Sequence, residues 1–229
     1  MFLVRPPNIA RVSRDLVPSL ELAKTLGLRH VVLLSVQGAG RVPVLPHAAA
    51  ERWLRASGLA WTFVRPSYFD QNLSGVFAPD IRDRDEIMVP AGGSRTAFVD
   101  AYDVAAVAAA ALLDPRAHTG RAWTPTGPAL TYHQVAAVLS AELGRPIRYR
   151  RVGALAFDRH ARTVLGLPGP MAAVTTVLHT TARLGLARFE TDDVLTVTGR
   201  APTTFAAFAH RERATWARPE VSPGSFRET

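Results

Sequence analysis

Cysteine is absent from the 229 residues, which excludes disulfides, thiolate metal sites and cysteine nucleophiles. Lysine is nearly absent: Lys24 is the only one, so almost every cation is arginine. Long apolar runs are missing as well. The most apolar stretch, Val104 to Leu113, is alanine-rich and closes at Asp114-Pro115, short of the ~18 to 20 residues a membrane span needs. No secretory pattern opens the chain, because Arg5-Pro6-Pro7 interrupts the apolar start. A cytoplasmic location is the default expectation. There is no internal repeat, no Walker-type loop and no serine in a nucleophile elbow. His118, His133, His160, His179 and His210 lack metal-ligand spacing with carboxylates and read as surface or packing positions, so no metal is expected.

What is present points to a folded globular chain. Hydrophobic residues make up 48% and charged residues 20%, the balance of a domain with a real core. The length suits one sizeable α/β domain with a small appendage. A net charge of +8 raises the question of nucleic acid, but the arginines are scattered. The densest group, Arg145, Arg148, Arg150 and Arg151, surrounds one short predicted strand, and no basic helix or aromatic-interleaved basic stretch exists. Neither nucleic acid nor membrane is an expected partner.

Apolar patterning alternates strand and helix through the first half. Met1–Arg5 reads as a short strand stopped by Pro6-Pro7. A helix over Asp15–Leu26 carries Leu16, Leu20, Ala23 and Leu26 on one face, with Gly27 as its stop. Arg29–Ser35 is an unbroken β-rich run of the kind buried parallel strands use. A Gly/Pro loop, a helix from His47 to Ser57 and a strand Trp61–Arg65 follow. This order predicts a parallel, doubly wound sheet. Beyond Pro66 the pattern predicts a short helix in Phe69–Phe77, a strand Glu86–Val89, and Asp100 or Asp103 capping a helix Val104–Leu113. Further on come a strand Ala122–Pro125, a Thr131-capped helix to Leu143 and a strand Ile147–Val152. Ala154–Leu186 reads as helical, broken at Gly166–Pro170. The end shows a short apolar segment Val194–Val197, a helix Thr204–Trp216, and a tail from Pro219 expected to be disordered.

Several segments resemble the NmrA-like branch of the atypical short-chain dehydrogenases in order and spacing. These are Arg29–Ser35; His47, Glu51 and Leu54; Ser57-Gly58-Leu59; Trp61–Pro66 with Phe69 and Asn72; Phe98-Val99-Asp100; Asp103-Val104-Ala105; and the Thr131…Leu143-Gly144 unit. The resemblance implies type 2 quinone reductase-like and festuclavine dehydrogenase-like relatives. It also implies NAD(P) as cofactor and a strand order 3-2-1-4-5-6-7, with Met1–Arg5 in third place and Arg29–Ser35 in fourth. The fold expected is an N-terminally truncated Rossmann-like doubly wound parallel sheet. Residues 1–125 would form the partial NAD(P)-binding core and 126–218 a small C-terminal α+β substrate-side region interleaved with it; 219–229 would be the tail.

Site residues follow from the same resemblance. Pro6 and Pro7 would form the adenosine-side turn. Ser35, at the end of a strand where ligands of open α/β sheets collect, would hydrogen-bond nicotinamide or substrate, or else satisfy loop amides. His47 stands where relatives place a residue reaching the cofactor ribose, or is a solvated helix-start histidine. Glu51, one turn on, reads as an exposed helix carboxylate. Pro66, Ser67 and Tyr68 would line nicotinamide, with Tyr68 or Asn72 touching substrate and Phe69 packing in the core. No tyrosine is followed four residues later by lysine, so the usual short-chain dehydrogenase acid–base pair is excluded, and no catalytic residue is assigned.

A strand, glycine-rich turn and helix that would hold the dinucleotide diphosphate is not found. Gly38-Ala39-Gly40 follows the wrong strand and runs into Pro43. Diphosphate contacts are charge-assisted bonds worth ~1.5 to 3 kcal/mol each. Without several of them, NAD(P) binding is expected to be weak or absent. Two sheet arrangements are open: Met1–Arg5 pairs directly with Arg29–Ser35, or apolar edges stay bare and invite homodimerisation. Three functions stand together. One is an NAD(P)H-dependent oxidoreductase passing hydride to a small quinone, enone or iminium-type acceptor; the others are a non-catalytic NAD(P) sensor of the NmrA type and an inactive truncated homologue.

Overall fold

The computed structural model describes residues 1–6, 9 and 11–218. The sequence expectations for Pro7 and for 219–229 therefore fall outside the described residues. The chain opens with β1 (Phe2–Val4), α1 (Val12–Asp15), α2 (Val17–Thr25), β2 (His30–Leu34), α3 (Pro46–Ala56) and β3 (Ala60–Val64). Pro18, near the N-terminus of α2, has no N–H to donate, and the expected single helix is two pieces turned at Leu16. Leu16 and Leu20 are buried as expected, but Leu26 lies past the helix end at 79% exposure.

The structure continues with β4 (Tyr68–Phe69), α4 (Gln71–Ser74), α5 (Ala78–Arg84), β5 (Glu86–Val89), β6 (Arg95–Val99), α6 (Ala101–Leu113), α7 (Pro115–His118) and β7 (Arg121–Trp123). The helix expected in Phe69–Phe77 shortens to α4, because Phe69 belongs to a strand pair with Val99. Asp100, not Asp103, caps α6: its side chain accepts from the Tyr102 N–H at 3.0 Å. Asp103 accepts instead from the Thr203 N–H at 2.7 Å.

The remaining elements are β8 (Ala129–Thr131), α8 (Tyr132–Leu143), β9 (Arg148–Arg151), α9 (Ala154–Thr163), α10 (Gly169–Arg183), α11 (Asp193–Thr198), α12 (Phe205–Glu212) and a 3₁₀ turn Arg213–Trp216. Thr131 and Gln134 form a reciprocal capping box at the start of α8. The apolar Val194–Val197 segment is helical, α11, with only Val194 buried.

Four strands form a parallel sheet in the order β1-β2-β3-β7. Phe2 pairs with Val32, Leu34 with Val64, and Val64 with Trp123. Side chains of β2 alternate between two layers, as strand geometry requires. Val31 and Leu33 pack with Leu16, Leu20, Leu54 and Phe63 beneath α2 and α3. Val32 packs with Val64, Val104 and Val107 beneath α6 on the other face. The sheet is doubly wound. β1 pairs directly with β2, the first of the two arrangements the sequence leaves open.

A second core lies on the C-terminal side. It joins Phe77, Ile87, Phe98, Tyr132, Leu139, Phe157, Phe208 and Trp216. Two small sheets frame it: β4-β6-β8, and the parallel pair β5-β9. Gly127 is required here, since a Cβ would come 2.7 Å from the Phe98 carbonyl oxygen. Two arginines of the cluster around β9 make contacts within the chain. Arg145 pairs with Asp85 and donates to the carbonyls of Ile81 and Trp216, while Arg151 contacts His133.

Candidate functional site

The carboxyl ends of β2, β3 and β7 come together, and their outgoing loops are stitched to one another. The Ser35 N–H donates to the Val64 carbonyl at 2.7 Å, Gln37 N–H to Pro66 at 2.9 Å, Arg65 N–H to Trp123 at 2.7 Å, and Ser67 N–H to Pro125 at 3.2 Å. Backbone donors are thus consumed in shaping the edge, and side chains remain to recognise a ligand.

Glu51 braces this edge from α3. It is 1% exposed, contrary to the solvated position the sequence implied. The Ser35 hydroxyl donates to its Oε1 at 2.7 Å, and Arg65 clamps the carboxylate through Nε at 2.8 Å and Nη2 at 2.5 Å. A fork matched to a carboxylate in this way fixes orientation as well as charge. A Cβ at Gly40 would come 3.0 Å from the same guanidinium. Ser35 is satisfied by this carboxylate rather than by loop amides. Burial beside Leu54 on α3 is the signal that would have found Glu51.

His47 occupies the first turn of α3 and is partly buried. Burial first, and the Arg5 charge second, push its imidazole down to about 4, against the opposing pull of Glu51. The ring is neutral at pH 7 and can accept or donate one hydrogen bond. Pro6 follows β1, its carbonyl accepting from the Ile9 N–H at 3.1 Å.

Pro66 and Ser67 are buried on the loop after β3, and the Ser67 hydroxyl has no partner among the described residues. Such a group is costly unless something completes it. Tyr68 turns the other way, into the second core. Its ring meets Phe98 edge-on at 5.6 Å, and its hydroxyl lies 3.4 Å from His179 Nε2. The other imidazole nitrogen is 3.3 Å from the Tyr132 hydroxyl. Burial raises the Tyr68 hydroxyl above its usual range, moderated by hydrogen bonds to Tyr132 and Asn72. Burial alone pushes His179 down to about 3, so this ring is a neutral bridge between two phenols. The packing role expected of His179 holds, but its pairing with Tyr68 joins α10 to the loop after β3. Its alignment with Ala172 and Ala182 on the buried face of α10 was the available signal. The candidate residues therefore fall into two groups, Ser35, His47, Pro66 and Ser67 at the strand ends and Tyr68 with Asn72 on the inner side, hinged at Ser67.

A strap from Leu184 to Asp193 crosses the same edge. The Ala97 N–H donates to the Ala187 carbonyl at 2.7 Å, and Gln37 Nε2 to the Phe189 carbonyl at 3.0 Å. Thr191 bonds Thr124 and Thr126, and Asp193 Oδ2 accepts from the Thr124 N–H at 2.6 Å. The strap is thereby tied to the loops after β2 and β7.

The orphaned Ser67 hydroxyl at a parallel strand end fits a nicotinamide carboxamide or an acceptor heteroatom. Among the described residues, no strand of the four-stranded parallel sheet passes through a glycine turn directly into a helix: Gly38 and Gly40 follow β2, but Gly40 faces the Arg65 guanidinium and α3 starts only at Pro46. Also among the described residues, no cluster of three or more histidine, aspartate or glutamate side chains could hold a metal, and no helix is long and apolar enough to cross a membrane.

A model of the NmrA-like family matches residues 24–179. The NAD(P)H azoreductase of Xenophilus azovorans is 38% identical over 224 residues, covering 93% of this chain and 75% of the azoreductase. A (4-alkanoyl-5-oxo-2,5-dihydrofuran-3-yl)methyl phosphate reductase of Streptomyces griseus is 36% identical, covering 80% of this chain and 66% of that protein. An NADPH-dependent quinone oxidoreductase of Escherichia coli, solved with NADPH, superposes with a TM-score of 0.82 at 22% identity, covering 92% of this chain and 75% of its own.

Proposed function

The chain belongs to the NmrA-like family, and from that premise we propose that it is an NAD(P)H-dependent reductase of a small conjugated acceptor: a quinone, enone, iminium or azo compound. Nicotinamide would lie over the carboxyl ends of β2 and β3. The observation that carries this reading is the buried, unpartnered Ser67 hydroxyl at the junction between the strand-end group and the Tyr68–Asn72 group. On this reading the two-electron donor and its acceptor meet at that junction.

The reduced cofactor, when bound, supplies hydride. The chain's own residues position and exclude water. Ser67 donates a hydrogen bond to the carboxamide or the acceptor. Glu51, clamped by Arg65, holds the Ser35 strand end still, and neutral His47 meets the ribose without placing a second positive charge beside Arg5. The raised Tyr68 hydroxyl keeps its proton near neutrality and, with Asn72, marks the acceptor side. Since no strand of the parallel sheet passes through a glycine turn directly into a helix among the described residues, residues 1–229 are expected to bind NADPH weakly. A family diphosphate loop supplying several bonds would tighten it by orders of magnitude.

The test is NADPH titration followed by tryptophan fluorescence, then nicotinamide oxidation with a panel of quinone, enone and azo acceptors. Saturable binding with turnover, and a rise in KM on Ser67→Ala, supports the reading. Binding without turnover of any acceptor favours a sensor, and no binding at millimolar NADPH refutes cofactor use by residues 1–229.

A further inference from the structure

Three large apolar side chains stand in solvent on one short run of the strap: Leu184 at 72%, Leu186 at 60% and Phe189 at 50% exposure. Scattered exposed apolar residues are ordinary, but a contiguous group on an ordered segment beside a ligand edge marks a surface that something covers. The segment is held firmly. The backbone carbonyls of Ala187 and Phe189 are tied to Ala97 and Gln37, and Gln37 lies two residues beyond Ser35 at the end of β2. Thr191 and Asp193 fasten the following residues to Thr124 and Thr126, past the end of β7. Gln37 and Pro125 are themselves bonded to Pro66 and Ser67. The strap backbone is thus two hydrogen bonds, through Gln37, from the loop carrying the orphaned hydroxyl.

We propose that residues 184–189 form the outer wall of the acceptor site and that the Phe189 ring stacks on a planar aromatic acceptor. This rests on the reductase reading above and narrows its substrate class to extended, flat, apolar molecules such as naphthoquinones and azo arenes. A flat ring on a backbone-tethered segment offers a large contact face at small cost in side-chain freedom. Offset stacking with it discriminates aromatic from aliphatic acceptors. The Arg188 guanidinium lies over the Phe189 ring, 6.0 Å from its centroid, and the side chain is still 50% exposed. The two leucines supply an apolar margin without hydrogen-bonding demands, which suits acceptors that differ in their substituents.

The experiment compares wild type with Phe189→Ala, Phe189→Trp and, as a control, Leu155→Ala, a residue 89% exposed on α9. Menadione is titrated against tryptophan fluorescence without cofactor, and KM for menadione and for 2-cyclohexenone is measured with NADPH. Phe189→Ala is expected to weaken menadione binding and raise its KM roughly three- to tenfold. Phe189→Trp should restore both, while the NADPH dissociation constant, the cyclohexenone KM and the control stay unchanged. Unchanged menadione binding in Phe189→Ala, or an equal loss for both acceptors, overturns the assignment. Absence of turnover with every acceptor would refute the reductase reading by itself. The stacking assignment would then stand or fall on the cofactor-free titration, and wild type that shows no menadione binding overturns it.

Discussion

Single side chains decide how this protein responds to acid. The unfolded chain protonates its histidines near the ordinary value of about 6.5, whereas native His179 resists protonation down to about 3 because it is buried. Between those values the unfolded state binds more protons, so stability falls as pH drops through that window. His47, held at about 4, adds to the same loss. Asp70 works in the opposite sense, its carboxyl raised to about 8 by burial and by the nearby charges of Asp100 and Asp103, so that it weakens the fold as pH climbs from about 4 to 8. His179→Gln keeps a neutral bridge between Tyr68 and Tyr132 but cannot take a proton. Its urea midpoint should fall less steeply than wild type between about pH 6.5 and 4, and matching slopes would show that His179 is not the acid-sensitive group. Legibility at this scale was uneven. The positions of Ser35 and Ser67 past strand ends and of His47 at a helix start were legible because such places are marked locally by residue type. Glu51 was misread because a single carboxylate on a helix defaults to solvent, and its partners Ser35 and Arg65 lie 16 and 14 residues away. His179 pairs with Tyr68 across 111 residues, a distance over which no pattern in the sequence speaks.

At the scale of elements, the caps and breakers were largely readable. Thr131 was recognisable as a helix start, and its side chain accepts from the Gln134 N–H while Gln134 reaches back to the Thr131 N–H. Thr131→Ala should cost about 1 kcal/mol, read as a lower urea midpoint. An effect much smaller than this would mean that burial of Tyr132, Val135 and Leu139 holds α8 without help from its cap. Short strands were less visible. β4 and β8 contain two and three residues, too few to show a period of two, and they exist because β6 offers both of them an edge. α11 was taken for an apolar segment without assigned structure. Its six residues bury only Val194, so amphipathic spacing had almost nothing to display.

Across the whole molecule, the alternation of strand and helix was sufficient to predict a doubly wound parallel sheet, since both faces of β2 need cover and helices supply it. The place of Met1–Arg5 in that sheet was not readable, because pairing order is set by contacts between distant segments. Among the described residues β1 pairs with β2 alone, and Phe2 and Val4 are 43% and 50% exposed at that edge of the sheet. Such an edge favours association with a second strand. Sedimentation should show concentration-dependent self-association that Val4→Lys reduces, and a strictly monomeric wild type would contradict this. The strap carries a different consequence. Its fastenings are main-chain carbonyls and the side chains of Thr191 and Asp193, whereas the surface it turns outward is made by Leu184, Leu186 and Phe189. Attachment and facing belong to different atoms. With residues 184–189 walling the acceptor site as proposed, exchanges at those three positions would retune which molecules fit while the scaffold beneath keeps its stability, leaving selection free to broaden or narrow the range one side chain at a time.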